Sequence, residues 1–386
     1  MSDVPALRFP EFKGEWEKCK LSKVCSFFSG GTPPSSNKEY YNGNIPFIRS
    51  GELHNDETEL FITKEGLDNS AAKTVEVGDL LLALYGATSG DIAISKIKGA
   101  INQAILCIRT KQNKKFVESV WNKHVARLLQ TYLQGGQGNL SADIVKNIPF
   151  YFTNVEEQNK LARFISLLDQ RIAAQNKIIE DLKKLKSAII EKHYCKVEKQ
   201  IACVGDLGEP FSVGNLAKDD LTETGIPCVI YGELFTTYGE TISQIESHTY
   251  KTEGIILSKK GDLLFPSSTT VDAMSLIAPS VINMDGVILG GDMFGIHISP
   301  NFNAQYLSYY FNHIAKRQLA KFAKGSTIIH LHYADIEKAK LLLPSLEEQN
   351  RMAKCLVTLD DKIKKERTFF DLLNSQKAYL LCHMFI

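Results

Sequence analysis

The hydrophobic residues of two segments alternate at four- and three-residue spacing, the rhythm of a coiled-coil helix. In the first segment these residues are Leu161, Ile165, Leu168, Ile172, Ile179, Leu182 and Ile189, and in the second they are Met352, Leu356, Leu359, Ile363, Phe370, Leu373 and Leu380. Each segment opens with the same tetrapeptide, EEQN, at residues 156–159 and 347–350. A helix from Leu161 to Ile189 would be roughly 42 Å long at the usual rise per residue.

The two helical segments superpose with an offset of 191 residues, from Glu156 to Glu347. The polar residues that interrupt the hydrophobic pattern superpose as well: Gln175 on Glu366, Lys186 on Lys377, and Asp169 on Asp360. Shared polar interruptions arise by chance less readily than shared leucines, so the pattern indicates a tandem repeat. We expect the two apolar stripes to pack antiparallel on each other as a spacer. The alternative is that each helix folds back onto its own domain.

The repeat continues upstream of both helices. IPFIRSGEL at 45–53 resembles IPCVIYGEL at 226–234, and VGDLLLA at 77–83 resembles KGDLLFP at 260–266. Short β-rich runs are separated by Gly, Pro, Asn and Asp, and helical patterns follow at 116–133 and 304–322. The predicted fold class is α+β: two similar α/β domains separated by two long antiparallel coiled-coil helices, in an internal pseudo-two-fold tandem repeat. The predicted boundaries are 1–155 for domain 1, 156–195 for helix 1, 196–346 for domain 2 and 347–386 for helix 2.

Composition narrows the class of protein. The hydrophobic content of 44% is typical of a globular protein, and the net charge of +1 provides no general attraction to nucleic acid or membrane. No apolar run approaches the roughly 20 residues that span a bilayer, and the first residues do not resemble a signal peptide. The eight cysteines contain no CxxC pair, which favours reduced thiols. The expected location is therefore the cytoplasm, with no membrane contact.

Sequence motifs for catalysis are missing. The chain has no GxxxxGK[ST] loop, GxSxG, HExxH, or GxGxxG after a strand. His330 and His332 form an HxH pair with no third ligand at suitable spacing, so no metal site is predicted. The stretch Glu11-Phe12-Lys13 faintly resembles a nuclease ExK motif, but it lies in a terminus that we expect to be mobile. The predicted catalytic and metal sites are therefore none.

Two similar domains around an internal dyad match a ligand that is itself nearly two-fold. Duplex DNA is the usual ligand of this kind, and half-sites one turn apart lie roughly 34 Å from centre to centre. Hydroxyl and amide side chains bond to base edges, and cations neutralise phosphates. The candidate DNA-binding residues are Thr32, Arg49, Ser50, Tyr85, Thr88, Asn102, Gln103, Gln137 and Asn139 in the first domain, and Ser212, Tyr231, Ser267, Ser268, Thr269, Lys324, Ser326, Thr327 and His330 in the second.

Several stretches of the chain together resemble the specificity subunits of type I restriction–modification systems. They are WEKCKLSKVCSFFSGGTP, the IPFIRSGEL and IPCVIYGEL pair, GDLLLALYGATSG with GDLLFPSSTTVD, and KGSTIIHLHYADIEKAKLLLPSLEEQNRMAKCLVTLDDKI. The resemblance covers essentially the whole chain, and the Leu-Glu-Glu-Gln helix entry is its most specific element. One departure is that Phe211-Ser212-Val213-Gly214 stands where the first domain has GGTP, which leaves the DNA contact at that position open.

The resemblance implies a non-catalytic subunit that recognises a bipartite double-stranded DNA target. Each target-recognition domain would read one half-site, and the helices would set the unread gap and dock the partners. Those partners would be two methyltransferase subunits, which bring S-adenosylmethionine, and two restriction subunits, which bring ATP and magnesium. No cofactor is expected in this chain. Two alternatives are a recognition subunit of another methyltransferase–nuclease or phage-defence complex, and a two-domain protein-binding scaffold.

Overall fold

The computed structural model describes residues 4–132 and 140–386, and the chain divides into two compact units. The first unit contains residues 1–176 and 368–386, and the second contains residues 177–367. Each unit therefore includes part of both long helices. Within the described residues, no helix combines the length and the apolar character required to cross a membrane.

In the described residues of the first unit, ten strands and four short or medium helices form its body. Its strands are β1 (Glu17–Lys20), β2 (Cys25–Ser29), β3 (Tyr41–Ile48), β4 (Phe61–Ile62), β5 (Lys73–Val75), β6 (Leu80–Ala83), β7 (Ile92–Ile94), β8 (Gly99–Ile101), β9 (Ile105–Thr110) and β10 (Pro149–Phe152). Its helices are α1 (Leu21–Val24), α2 (Lys64–Asp68), α3 (Lys114–Tyr132) and α4 (Ala142–Asn147). The long helix α5 (Val155–Lys196) follows and continues into the second unit.

The strands of the first unit form two four-stranded sheets and one pair. The sheet orders are β2-β9-β6-β7 and β4-β3-β8-β5, and β1 pairs with β10. Strand β6 is buried along its whole length, as an unbroken apolar run predicts. The sheet that contains β6 packs on a core that includes Trp16, Phe116 and Trp121, and the same core contains Leu161 and Ile165 of α5. A separate core, which includes Leu81, Ile48 and Ile101, lies between this sheet and the sheet that contains β3 and β8.

The second unit repeats this frame. Its strands are β11 (Gln200–Cys203), β12 (Gly208–Ser212), β13 (Leu221–Thr222), β14 (Ile226–Ile230), β15 (Thr241–Ile242), β16 (Ser247–Thr249), β17 (Ile256–Leu257), β18 (Asp262–Pro266), β19 (Ser268–Thr269), β20 (Ser280–Ile282), β21 (Ile288–Gly290), β22 (Met293–Ile298), β23 (Ile329–His330) and β24 (Lys340–Leu343). Its helices are α6 (Glu233–Thr236), α7 (Ala273–Leu276), α8 (Ala304–His313), α9 (Lys316–Leu319), α10 (Tyr333–Ile336) and the long α11 (Leu346–Met384), which ends in the first unit.

The sheets of the second unit correspond to those of the first. The order β12-β22-β18-β20 matches β2-β9-β6-β7, and β16-β14-β21-β17 matches β4-β3-β8-β5. Each sheet of the second unit has one additional edge strand, β15 in the first case and β13 in the second. The pair β11 and β24 matches β1 and β10. Both units also contain a parallel contact at the same place, between β3 and β8 and between β14 and β21, and the second unit has a further parallel contact between β15 and β20. The predicted tandem repeat of α/β domains is confirmed.

The long helices pack antiparallel within each unit. In the first unit, Asp169 of α5 lies 2.6 Å from Lys377 of α11, and Arg171 stacks on Phe369 with 5.3 Å to the ring centre. The contact that lies further along α5 therefore lies earlier along α11, so the two helices run in opposite directions. In the second unit, Lys186 lies 2.7 Å from Asp360. The predicted antiparallel packing is confirmed, and two of the matched polar interruptions, the Asp and the Lys positions, prove to be ion-pair partners.

Three details differ from the sequence-based predictions. The first long helix extends beyond Leu161–Ile189 at both ends, and the helix predicted at 304–322 is interrupted after α8. The expectation of a mobile N-terminus was wrong: Trp16 is buried, and Arg8 Nε donates to Glu157 at 2.7 Å. The predicted four-part boundaries stay a prediction, since the compact units share the long helices.

Candidate nucleic-acid interface

The candidate residues of the first unit follow strands that end at one edge of the unit. Strand β2 ends opposite Leu106 and β6 ends opposite Ile105, both at the start of β9. The parallel strands β3 and β8 end together, at Ile48 and Ile101. We call this edge, formed by loops 30–32, 49–50, 84–88 and 102–104, the first loop edge.

The first loop edge brings together most of the predicted residues of this unit. Thr32, Arg49, Ser50, Tyr85, Thr88, Asn102 and Gln103 all lie on it, and each is exposed or half-buried. The Thr32 hydroxyl donates to Gln103 Oε1 at 2.5 Å, which joins two of its loops. The Asn102 side chain accepts from the Ala104 N–H at 3.1 Å. Gln137 and Asn139 lie outside the described residues.

Arg49, which the sequence analysis proposed as a DNA-binding residue, also forms ion pairs within its own loop. Its guanidinium pairs with Glu52 at 2.7 Å and with Glu59 at 3.2 Å, so its charge is largely compensated. Burial pushes the pKa of Glu52 upward, but hydrogen bonds from Arg49 outweigh it and lower the pKa to about 2. Glu52 also accepts from the Arg49 N–H, and Glu233 accepts in the same way from the Ile230 N–H, both at 3.0 Å. The glutamate of each GEL motif therefore fixes the loop that follows β3 or β14.

The second unit has an equivalent edge. Strand β12 ends at Ser212 opposite Phe294, and β18 ends opposite Met293 at the start of β22. The parallel strands β14 and β21 end together at Ile230 and Gly290. We call this edge, formed by loops 212–216, 231–232, 267–272 and 324–330, the second loop edge.

All the predicted residues of the second unit lie on the second loop edge, but they differ in accessibility. Ser212, Tyr231, Lys324, Ser326 and Thr327 are exposed, and Thr269 and His330 are half-buried. Ser267 and Ser268 are only 4% and 7% exposed, so neither side chain offers much surface to a duplex. The main chain of Ser268 forms part of a strand pair instead, since β19 pairs antiparallel with β23 and Ser268 lies opposite His330.

A cleft of about 810 Å³ opens at the second loop edge. Tyr231, Thr269, Val271, Lys316 and Ile328 line part of its wall. The lining combines hydroxyl groups, one cation and apolar side chains, which suits contact with the edge of a base and its neighbouring phosphate.

Basic residues near this edge were missed by the sequence analysis. Lys316, Arg317 and Lys321 follow α8, and none of them has a carboxylate within ion-pair distance in the described part of the chain. Lys324, which was predicted, pairs instead with Asp335 and lowers the pKa of that carboxyl group. The signal was present in the sequence as AKRQLAKFAKG, where cations recur within a segment interpreted only as a helix.

The glycine loops of the two edges are equivalent despite their different sequences. The Gly31 N–H donates to Ile101 O, and the Gly214 N–H donates to Leu289 O, both at 3.2 Å. A Cβ on Gly30 would lie 1.8 Å from Ile101 O, and one on Gly214 would lie 2.4 Å from Gly254 O. These glycines are therefore required by close backbone packing, and the GGTP loop needs no phosphate ligand to explain it.

The repeated EEQN motif connects each long helix to its domain. In the first unit, Gln158 Oε1 accepts from the Asn113 N–H at 3.1 Å, and the Asn113 amide donates to Asn159 at 2.7 Å. In the second unit, Gln349 accepts from the Asn303 N–H at 3.0 Å, and Asn303 donates to Asn350 at 2.7 Å. Asn113 and Asn303 also accept from N–H groups in the first turns of α3 and α8. The motif recurs because each unit needs the same joint.

We expect Gln158→Ala and Gln349→Ala each to lower the free energy of unfolding by about 1–3 kcal/mol, because each leaves partly buried main-chain groups without their hydrogen bonds. Both glutamines are almost fully buried. Urea unfolding of the purified chain measures the effect. Gln376→Ala, at an exposed position of α11, is the matched control and should change stability little. Equal stability of all three variants would contradict the proposal that these glutamines join each long helix to its domain.

The described residues contain no group of three or more His, Cys, Asp or Glu side chains placed to hold a metal ion. The rings of His330, at the end of β23, and of His332, which precedes α10, lie 6.1 Å apart and nearly parallel. His330 belongs to the second loop edge, and His332 lies just beyond it.

Comparisons with known proteins agree with this geometry. The model of the type I restriction modification DNA specificity domain matches residues 13–184 and again 196–368. A type I restriction enzyme MjaVIII specificity subunit from Methanocaldococcus jannaschii is 23% identical over 95% of this chain and 90% of its own. The MjaIX specificity subunit of the same organism is 21% identical over 86% and 83%.

Solved structures show the same fold. The crystal structure of a type I restriction–modification S subunit from M. genitalium superposes with a TM-score of 0.63 at 15% identity, covering 99% of both chains. A chain from work on complex assembly and conformational transition of the type I R-M system superposes with a TM-score of 0.59 at 14% identity, covering 95% of this chain and 96% of that one.

The repeated domain and its two loop edges define a DNA-recognition protein. The chain belongs to the type I restriction modification DNA specificity family. Its two consecutive copies of the family's domain fit recognition of a DNA target in two parts.

Proposed function

We propose that the first loop edge reads one half-site of a bipartite duplex target and the second loop edge reads the other. The long helices, which are shared between the two units, set the number of unread base pairs. The chain itself performs no chemistry. It selects the sequence on which partner subunits act.

This proposal rests on one observation: the two units share the same arrangement of strands and joints, whereas the exposed side chains at their loop edges differ. Strand order, the parallel strand contact, the GEL glutamate and the glutamine joint are the same in both units. The exposed side chains at the edges differ: Thr32 and Gln103 are bonded to each other in the first unit, whereas Ser212 and Tyr231 occupy the corresponding edge of the second. A common frame with different edges suits two different half-sites, because base identity is read by the side chains that reach the groove.

The proposed partners are two adenine methyltransferase subunits and two ATP-dependent restriction subunits. S-adenosylmethionine, ATP and magnesium would be bound by those subunits, and this chain would hold no cofactor. Membership of the family supports assembly into such a complex. The net charge of +1 supports it further, since a duplex bound mainly by this chain would need more cationic surface.

We expect Thr88→Ala and Thr269→Ala to relax sequence preference at different half-sites. Each change removes a hydroxyl group at one loop edge, and each should cost about 1–3 kcal/mol of discrimination at a base pair that this hydroxyl contacts. Edges in separate domains should contribute almost additively in the double variant. The measurement is adenine methylation of a duplex library randomised over both half-sites, with the methyltransferase partner supplied.

The matched control is Ser26→Ala, which removes an exposed hydroxyl near the start of β2, at the opposite end of that strand from the first loop edge. Its sequence preference should equal that of the wild-type chain. Relaxation of the same positions by Thr88→Ala and Thr269→Ala would contradict the assignment of one half-site to each unit. A complex that methylates without any sequence preference would contradict the proposed function itself.

A further inference from the structure

We propose that Val271 and Ile328 contact thymine methyl groups in the half-site read by the second unit. This inference rests on the proposed function and names the specificity-determining side chains of one edge. Both residues lie outside the set of polar candidates. They sit at the tip of a two-stranded ribbon formed by β19 and β23.

The register of the ribbon brings the two residues to the same end. Ser268 lies opposite His330, and Thr269 lies opposite Ile329, so the chain leaves the ribbon toward Val271 on one side and enters it from Ile328 on the other. The Val271 N–H is held by the Thr269 hydroxyl at 3.2 Å. The tip is therefore built from both strands.

The loop that carries Ile328 has a fixed shape. The main chains of Lys324 and His330 exchange two hydrogen bonds of 2.7 and 2.9 Å, which close the loop between them. Gly325 has a φ of +116°, and a Cβ there would lie 2.0 Å from Ile328 O. Only glycine fits this position without strain. The ribbon tip is consequently preorganised for contact, with little conformational entropy to lose on binding.

The tip of the ribbon exposes apolar side chains. Val271 is 73% exposed and Ile328 is 50% exposed, and both line the cleft of the second loop edge. Three further apolar side chains nearby in the fold, Tyr231, Met274 and Phe322, are each about a third exposed. Exposed apolar residues are ordinary when single, whereas a group at one edge indicates a binding surface.

The charges beside the tip identify the occupant as a polyanion. Lys316 lines the same cleft, and Arg317 and Lys321 lie in the segment that leads to the ribbon. The acidic side chains near the tip are already engaged: Glu240, which also lines the cleft, pairs with Lys186 and His313, and Asp335 pairs with Lys324. Asp272 accepts a hydrogen bond from the Ser275 N–H at 2.6 Å and so caps α7. A polyanion that also presents apolar groups is duplex DNA, whose major groove admits a two-stranded ribbon and displays the thymine C5-methyl group.

The test replaces thymines by deoxyuridine, which removes the methyl group and leaves every base-pairing atom in place. The full chain with its methyltransferase partner is titrated against its mapped target. Each thymine of the second half-site, on either strand, is replaced in turn. We expect at least one replacement to weaken wild-type binding about fourfold, the effect of exposing one buried methyl group. In Val271→Ala or Ile328→Ala that ratio should fall toward one, while preference at the first half-site stays unchanged.

Ile201→Ala is the matched control, because Ile201 is 71% exposed and lies on β11, which precedes β12 at the end remote from the second loop edge. It should keep the wild-type ratio. Three results would overturn the proposal: a wild-type complex insensitive to deoxyuridine throughout this half-site, variants that keep the full wild-type ratio, or variants that lose methyltransferase association without DNA while their ratio is unchanged. In each case the wild-type complex would still select its target, so the proposed function would survive.

Discussion

Ile165→Asp and Leu356→Asp are each expected to lower the free energy of unfolding by about 3–5 kcal/mol, since each places a charge without a partner in a packed interior. The two residues are 1% and 0% exposed and belong to the heptad stripes of α5 and α11. Ile165 packs in the core of the first unit, and Leu356 packs in that of the second. Urea unfolding followed by circular dichroism gives the free energy.

Two leucines on the same helices provide controls. Leu167 and Leu372 are 54% and 61% exposed, and their substitution by Asp should change stability by no more than about 0.5 kcal/mol. Ile172→Asp and Ile363→Asp should fall between these limits, because both side chains are half-buried. If all four Asp variants of the heptad positions were as stable as the two controls, the apolar stripes of α5 and α11 would not contribute to the packing of the units.

Acid is expected to destabilise the second unit through Glu240. This carboxylate accepts from His313 at 2.8 Å and pairs with Lys186 at 2.9 Å. Burial acts to raise the pKa of Glu240, but the hydrogen bond from His313 and the charge of Lys186 outweigh it and lower the pKa from 4.5 to about 2. A depressed pKa stabilises the folded state above the ordinary pKa, and that stabilisation is lost as the pH falls from about 5 toward 2. The linkage amounts to about 3 kcal/mol.

The measurement is the free energy of unfolding at a series of pH values for the wild-type chain and for Glu240→Gln. The variant should be less stable at neutral pH and should lose less stability on acidification. Asp360 still pairs with Lys186 at 2.7 Å in this variant, so Lys186 is not left without a carboxylate. Glu209→Gln, at an exposed position of β12, should keep the wild-type pH dependence. A steep acid loss in Glu240→Gln equal to that of the wild type would contradict this assignment.

The sequence predicted the helices and the repeat because both depend on local periodicity. The matched Asp and Lys positions were visible as interruptions, but their pairing was not. Asp169 meets Lys377 only because the helices run antiparallel, which brings an early residue of one copy to a late residue of the other.

The sequence placed the candidate residues in loops after strands, and the structure shows that these loops lie at one edge of each unit, but their contacts could not be predicted. The candidates follow strands that end together, so the fold collects them. The compensation of Arg49 by Glu52 and the burial of Ser267 depend on neighbours from other loops and strands, which no local pattern reveals. Val271 and Ile328 are absent from the candidate residues because an apolar side chain in a loop carries no sequence signal for contact with a base.

The division of the chain into a continuous second unit and a split first unit has a consequence for biosynthesis. Residues 177–367, which include the first part of α11, contain the core of the second unit, so that core does not depend on the last residues of that helix. The first unit, although its residues emerge earlier, requires Met384 and Phe385, and the Phe385 ring packs 5.5 Å from that of Phe116 in its core. Until those residues leave the exit tunnel, the core of the first unit is incomplete. A chaperone that protects the nascent chain would therefore bind its N-terminal part.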